Sequence, residues 1–264
     1  MLKIPSSLVT ENVDFEIGSN EPWPDNVKLF QPLERDQILL PDNANCLAVR
    51  AFLEMCNLKY EVIYRENTED MSPSGRVPFI KCGAFLIAEL EPLINFVKNK
   101  NISLTEDLDP VQKSDIRAYM SLINTVLLNA ELYITWCDPE TYNEVTKPRY
   151  SSVYPFPLDI IKTWLKRQKV MKKLKALGWL NKTLEEVHSE VDTCCSALSN
   201  YLEDKKYYFG DKPTELDAMV FAHVFTALAT PLPSNQFAAT IRSYPNLVEH
   251  CQRIEKAYFN NQNN

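Results

Sequence analysis

The chain has 264 residues, 45% of them hydrophobic and 24% charged, a globular composition with room for one large domain or two small ones. Its formal net charge of -7 disfavours a general nucleic-acid binder, which needs a basic face to displace counterions from phosphate. With 5 glycines and no GxGxxG or GxxxxGK[ST] run, the sequence also offers no glycine-rich phosphate cradle.

Residues 1–24 read as a flexible arm. Their stretch has neither the long apolar core of a secretory leader nor the arginines of a matrix-targeting peptide. No segment reaches the roughly 18 apolar residues that span a bilayer, so any membrane association is expected to be peripheral. "VKLFQPL" (27–33) predicts a first strand, and "DNANCLAVRAFLEMCNL" (42–58) a buried helix. "KYEVIYREN" (59–67) alternates as a strand, and 67–75 reads as a poorly formed connection. "VPFIKC" (77–82) and "AFLIAE" (84–89) form a hairpin around Gly83, and "EPLINFVKNK" (91–100) a helix. Pro78 cannot donate a ladder hydrogen bond, so it belongs at the strand's end. A cis Val77–Pro78 bond there would turn the chain.

Beyond about residue 105 the pattern is helical throughout. Asp109-Pro110 is a cap followed by proline at the first helical position. Ile116, Met120, Ile123, Leu127, Ala130 and Ile134 then share one face of a single long helix. "KPRYSSVYPFP" (147–157) reads as a loop, and a helix follows over 159–177. Thr183 and Glu186 form a capping box. "PTELDAMVFAHVFTALA" (213–229) is apolar on nearly every side and belongs at the centre of the fold, with Thr214 as its cap and Asp217 three residues on. The last helix begins at "SYPNL", with Leu247, Cys251, Ile254 and Tyr258 inward. The organisation is thus an arm (1–24), a mixed α/β unit (25–101) and an all-helical unit (105–264).

Chemistry-bearing residues are sparse. The 7 cysteines lack CxxC spacing and read as reduced, small apolar side chains. His188, His223 and His250 fall on three different helices and no HExxH or Cys/His cluster occurs, so no metal site is expected; no catalytic residue or cofactor is assigned either. His223, on the most apolar helix, reads as a hydrogen-bonded core histidine. The sequence 162–175, "KTWLKRQKVMKKLK", carries Lys162, Lys166, Arg167, Lys169, Lys172, Lys173 and Lys175 with no acid among them. Such a helix suits an anionic membrane surface or an acidic partner. The plainer reading is a solvated basic face whose apolar stripe (Ile161, Trp164, Leu165, Met171, Leu174) lies in the core.

Strand–helix–strand, a Val-Pro-Phe step, a hairpin and a Glu-opened helix resemble the thioredoxin-like half of glutathione transferases. "PTELDAMVF" and "YPNLVEHCQRIE" resemble their buried sixth helix and closing helix, so Pro78, Thr214 and Asp217 take structural roles. The resemblance implies a fold that is α/β plus all-α, a thioredoxin-like domain followed by a helical bundle. At the ligand positions the match breaks. Leu90 follows Glu89 where those enzymes carry a serine. Asn43, a plausible helix cap, aligns with the catalytic cysteine of the Cys-Pro-x-Cys subclass, and Cys46 with the second cysteine. An alternative to a scaffold is thus a glutathione-dependent transferase or thiol oxidoreductase with an atypical site.

"EPWPDNVKLFQPL", "QILLPDNANCLAVRAFLEMCNL", "MSPSGRVPFI", "AELYITWCD", "RYSSVYPFPL" and "KALGW" are more specifically similar to the metaxins. That resemblance implies a non-enzymatic subunit at the cytosolic face of the mitochondrial outer membrane. It implies pairing with metaxin 1, which carries the membrane tail, and work beside the outer-membrane β-barrel assembly core. It also implies adaptor complexes that link mitochondrial GTPases and motors.

Overall fold

The computed structural model describes residues 22–259. Of the arm expected over 1–24, residues 1–21 lie outside the described residues. Trp23 is anchored, its indole N–H donating to Lys59 O at 2.9 Å.

Four short strands form one mixed sheet in the order β2-β1-β3-β4: β1 (Lys28–Gln31), β2 (Glu61–Tyr64), β3 (Phe79–Cys82) and β4 (Phe85–Ala88). β1 runs parallel to β2, with Leu29 opposite Val62, and antiparallel to β3, with Leu29 opposite Ile80. Parallel pairing demands a crossover, which α1 (Leu40–Met55) supplies. β3 and β4 close through a two-residue turn whose first position is Gly83 at φ +60°, where a Cβ would be strained. The Val77–Pro78 bond is cis and sits just before β3, and Pro78 O accepts the Glu89 N–H at 3.2 Å. A second cis bond, Phe156–Pro157, lies ahead of α8 (Leu158–Ala176).

The first helix starts two residues earlier than its sequence pattern suggests. Leu39 is the extended cap residue, Pro41 fits the first turn, and the Asn43 N–H already donates to Leu39 O at 2.8 Å. Asn43 is therefore inside the helix and does not cap it. The connection 67–75 contains a helical turn, α2 (Thr68–Met71), pinned by the buried Thr68 hydroxyl on Arg65 O at 2.6 Å. α3 (Leu90–Lys98) follows β4 and buries Leu93, Phe96 and Val97.

The long amphipathic helix is two helices, α4 (Pro110–Thr125) and α5 (Leu127–Trp136), broken at Val126. The Thr125 hydroxyl bonds back to Ser121 O at 2.8 Å and Asn129 Nδ2 donates to Thr125 O at 2.9 Å. Side chains bonded to helical carbonyls in this way bend a helix. All six residues of the shared face stay buried. Residues 147–157 are only partly loop. α6 (Pro139–Thr141) runs through a π-helical turn (Tyr142–Thr146) into α7 (Lys147–Ser151). The Lys147 N–H reaches back five residues to Tyr142 O, and Pro148, with no N–H, falls where the ladder changes step.

α8 leads through a short 3-10 turn (Trp179–Asn181) into α9 (Leu184–Leu202), opened by reciprocal Thr183–Glu186 capping bonds. α10 (Glu215–Ala229) buries nearly its whole circumference and packs most extensively on α1. Alanines at 44, 48 and 51 of α1 and at 218 and 222 of α10 are fully or almost fully buried there. α11 (Gln236–Arg242), which no sequence signal marked, inserts Phe237 and Ile241 into the core. α12 (Pro245–Tyr258) closes the bundle. One contiguous apolar cluster joins sheet, α1, α4, α5, α9, α10 and α12.

Candidate functional site

A cleft of about 580 Å³ lies between the sheet-bearing half and the helical half. Its floor is the first turns of α1 (Pro41, Asp42, Asn45). One wall comes from Gly75, Arg76 and the Glu89–Pro92 corner, the other from α4, α5 and α8. This corner between α1, the cis-proline segment and the end of β4 holds Glu89 and Leu90, the ligand positions at which the resemblance above breaks.

The residues there do other things. Glu89 sits at φ +70° at the start of α3 and makes no capping bond; its Oε2 accepts from Arg76 at 2.7 Å. That carboxylate is committed across the cleft mouth. Val77 is walled in with Ile38 and Cys46, and Gly75 and Arg76 rather than Val77 line the cleft. Asn43 faces a different hollow, lined also by Glu34 and Arg149, so the residue at the mouth of α1 is Asp42. Burial pushes its carboxyl up to about 6, against the pull of Lys166. A carboxylate at this point repels a neighbouring thiolate. Among the described residues, no Cys, Ser or Tyr lines the cleft. Cys46 is buried and its thiol is pushed up, first by burial and then by Asp42, so it is no accessible nucleophile.

His223 borders the cleft, but its Nδ1 pairs with Glu131 at 2.7 Å in the core. Burial raises the Glu131 carboxyl, and His223 opposes the rise. His250 Nε2 donates to Asp217 at 2.8 Å. His188 is buried with no bonded partner for its Nδ1. The three histidines remain apart. All seven cysteines are unbridged, and five are buried.

Asp217 is an acceptor hub. Its Oδ2 takes the Thr214 N–H at 2.8 Å and the Thr214 hydroxyl at 2.7 Å, and its Oδ1 takes the Tyr208 N–H at 3.1 Å beside the His250 bond. These bonds lock the start of α10, the 203–214 loop and α12 together.

The basic helix α8 presents distinct faces. Thr163, Val170 and Leu174 enter the core. Lys162, Lys166, Lys169 and Lys173, spaced four-three-four, run along the flank that meets the sheet-bearing half. Lys162 pairs with Asp70 at 2.7 Å and Lys166 with Glu69 at 2.7 Å, tying α8 to α2. Burial disfavours the Lys166 ammonium, but Asp42 and Glu69 outweigh it and its pKa rises. Lys169 and Lys173 line the cleft; burial and Arg76 push Lys173 down, with Glu89 opposing. On another side, Arg167 donates to Trp136 O at 3.1 Å and stacks 3.9 Å over Tyr142. Of the six candidate contact residues, Lys172 faces outward.

The expected solvated face therefore divides. Three of its six named cations are engaged by pairs or stacking, and two more, Lys169 and Lys173, line the cleft wall. The apolar stripe divides too: Leu174 is core, but Ile161, Trp164 and Leu165 are exposed. Sequence reasoning missed Asp42, Arg76 and this outward stripe. Only the four-three-four spacing of the lysines hinted that one flank was spoken for.

A sequence model of the family described as "Outer mitochondrial membrane transport complex protein" matches residues 46–167, and one for the glutathione S-transferase C-terminal domain matches 191–254. The chain is 51% identical to Metaxin-2 of Mus musculus over 96% of both chains. It is 39% identical to the Metaxin-2 homolog of Caenorhabditis elegans, over 84% of this chain and 97% of that one. Metaxin-1 of Mus musculus is 31% identical over 75% of this chain and 64% of its own length. Among solved structures, a glutathione S-transferase from Methylobacillus flagellatus with GSH bound superposes at TM-score 0.54 and 14% identity, over 87% of this chain and 95% of that one. Glutathione S-transferase III in apo form does so at 0.51 and 14%, over 87% and 91%. These superpositions establish the glutathione transferase-like fold.

Proposed function

Because the chain belongs to the metaxin family, we propose that it is a non-enzymatic scaffold subunit at the cytosolic face of the mitochondrial outer membrane. In this reading it pairs with metaxin 1 and serves the sorting and assembly of outer-membrane β-barrels. The same surface logic extends to adaptor complexes that couple mitochondria to GTPases and motors. The similarity to Metaxin-2 over nearly the whole of both chains and the outer-membrane transport description of the matching family support the assignment. Among the described residues no helix is long and apolar enough to cross a membrane, so attachment through a partner fits.

The observation that carries the non-enzymatic part is the cleft chemistry. Among the described residues no Cys, Ser or Tyr lines the cleft, Asp42 stands at the mouth of α1, and the glutamate after β4 pairs with Arg76. Keeping the fold while changing the site is the mark of reuse, because a fold does not dictate a function. Pro78, Thr214 and Asp217 serve the fold in this proposal.

Two measurements on the full chain test it. Co-purification with the cytosolic part of metaxin 1 is expected to give a stable heteromer. A glutathione-affinity resin is expected to pass the chain through. Specific elution by free glutathione, with turnover of a generic electrophile, would replace the scaffold reading by the enzymatic one.

A further inference from the structure

Among the described residues, seven of the eleven large apolar side chains that stand exposed lie between Phe156 and Leu177. Phe156 is 81% exposed at the loop tip, Ile160 57% and Trp164 58%; Leu158, Ile161 and Leu165 are about half exposed. The core-facing line of α8 is Thr163, Val170 and Leu174. Opposite it runs a stripe at helical spacing, Leu158, Ile161, Leu165, Gln168, Lys172 and Lys175, with the exposed Trp164 flanking its apolar half. Its first half is apolar and its second half basic. Contiguous apolar surface of this kind marks an interaction site and is not the scatter usual on a soluble surface.

We infer that this stripe is a direct docking face for an anionic lipid surface, separate from any attachment through a partner chain. Charge decides the occupant. Lys172 and Lys175 are exposed and form no ion pair among the described residues, and no acid interrupts the stripe. The chain as a whole carries -7, so the local excess of cations is set against the overall sign. Protein interfaces are depleted in lysine and take aromatic residues into a dry core with a polar rim of mixed charge. Interfacial helices instead combine Trp, Phe and Leu on the side that enters the headgroup boundary with lysines beside them. Trp164 and Phe156 stand where such side chains reach the interface, and Lys172 and Lys175 where anionic headgroups would meet them. The flanking lysines that a sequence reading would have chosen, Lys166, Lys169 and Lys173, turn toward the cleft and are not part of this face.

Flotation of the purified full chain with phosphatidylcholine vesicles, with and without phosphatidylglycerol, tests the inference and needs no partner, so it fails or succeeds independently of the metaxin 1 pairing. The chain is expected to float with the phosphatidylglycerol vesicles and release at high salt. The double variant Ile161→Glu/Trp164→Glu is expected to lose at least tenfold in partitioning. Lys172→Glu/Lys175→Glu is expected to lose roughly fivefold per lysine at low salt. Both changes are on exposed side chains, and unchanged far-UV circular dichroism and thermal midpoint identify folded variants. Val111→Glu, an exposed apolar site on α4, is the control and should float like wild type. Absence of wild-type chain from phosphatidylglycerol vesicles overturns the inference. So does equal flotation of either stripe variant, or an equal loss in the control. If the stripe variants lose metaxin 1 instead while vesicle binding is nil, the face belongs to a protein.

Discussion

Replacing Asp217 by alanine removes four acceptor contacts at one stroke. Its carboxylate is fully buried and takes the backbone N–H groups of Thr214 and Tyr208, the Thr214 hydroxyl and the ring N–H of His250. The hydroxyl can rotate to another acceptor; the two backbone donors and the ring nitrogen cannot. An orphaned buried donor costs about 1–3 kcal/mol, so three of them cost about 3–9 kcal/mol, toward the lower end if water enters the gap. A domain of this kind is stable by about 5–15 kcal/mol in total. Asp217→Ala should therefore lower the urea midpoint by about a fifth or more, followed by circular dichroism, with the slope unchanged. Asp217→Asn keeps one acceptor oxygen and should lose about half as much. Thr214→Ala, which removes only the hydroxyl bond from the Asp217 hub, should lose about 1 kcal/mol. If Asp217→Ala unfolds within about 1 kcal/mol of wild type, the hub does not hold α10, and the account of this capping motif is wrong.

The pH response of Asp42 has a definite sign. Its folded-state carboxyl is raised to about 6 from the ordinary 3.8, so the folded chain holds that proton more tightly than the unfolded one, and stability falls as pH rises across that window. Asp42→Asn should be more stable than wild type near neutral pH, by at most about 3 kcal/mol, and the gap should close as the pH is taken below about 4. Urea titrations at the two pH values measure it; a gap that widens on acidification contradicts the burial cause. Lys166→Ala leaves Asp42 and Glu69 without their shared cation and should cost about 1–3 kcal/mol, whereas Lys172→Ala should stay within about 0.5 kcal/mol. Equal losses would mean that the flank assignment of α8 is mistaken. In native buffer a thiol reagent should react promptly with Cys56 and Cys137 at most, because the other five cysteines are buried. Fast modification of Cys46 would reopen the thiol-chemistry reading.

Much of the frame could be read in residue order because its causes are local. The caps at Asp109 and Thr183 and the apolar periodicity of α10 act within one or two turns. The structure finds them where the pattern puts them. What escaped has distant causes. α2 is held by Glu69 and Asp70 reaching lysines more than ninety positions away. The break at Val126 comes from Thr125 and Asn129 bonding to carbonyls inside a periodicity that continues unbroken. The stripe from Leu158 to Leu165 has the spacing of a core face, and the same spacing serves an exposed one. Only the placement of Thr163, Val170 and Leu174 shows which way it turns. In the cleft, the residue at the opening could not be read from the pattern, because the helix begins at Leu40 and brings Asp42, not Asn43, to face it.

The alanine-lined contact between α1 and α10 has a consequence for anyone cutting the gene in two. A fragment that stops in the linker after Lys98 would leave the Ala44–Ala48–Ala51 side of its main helix facing solvent, with nothing of its own to cover it. Neither piece is then a minimal binding module, and a truncation that abolishes an interaction says little about where the interaction lies. Co-synthesis of both pieces, each completing the other like halves of a split reporter, is the form in which such dissection should succeed.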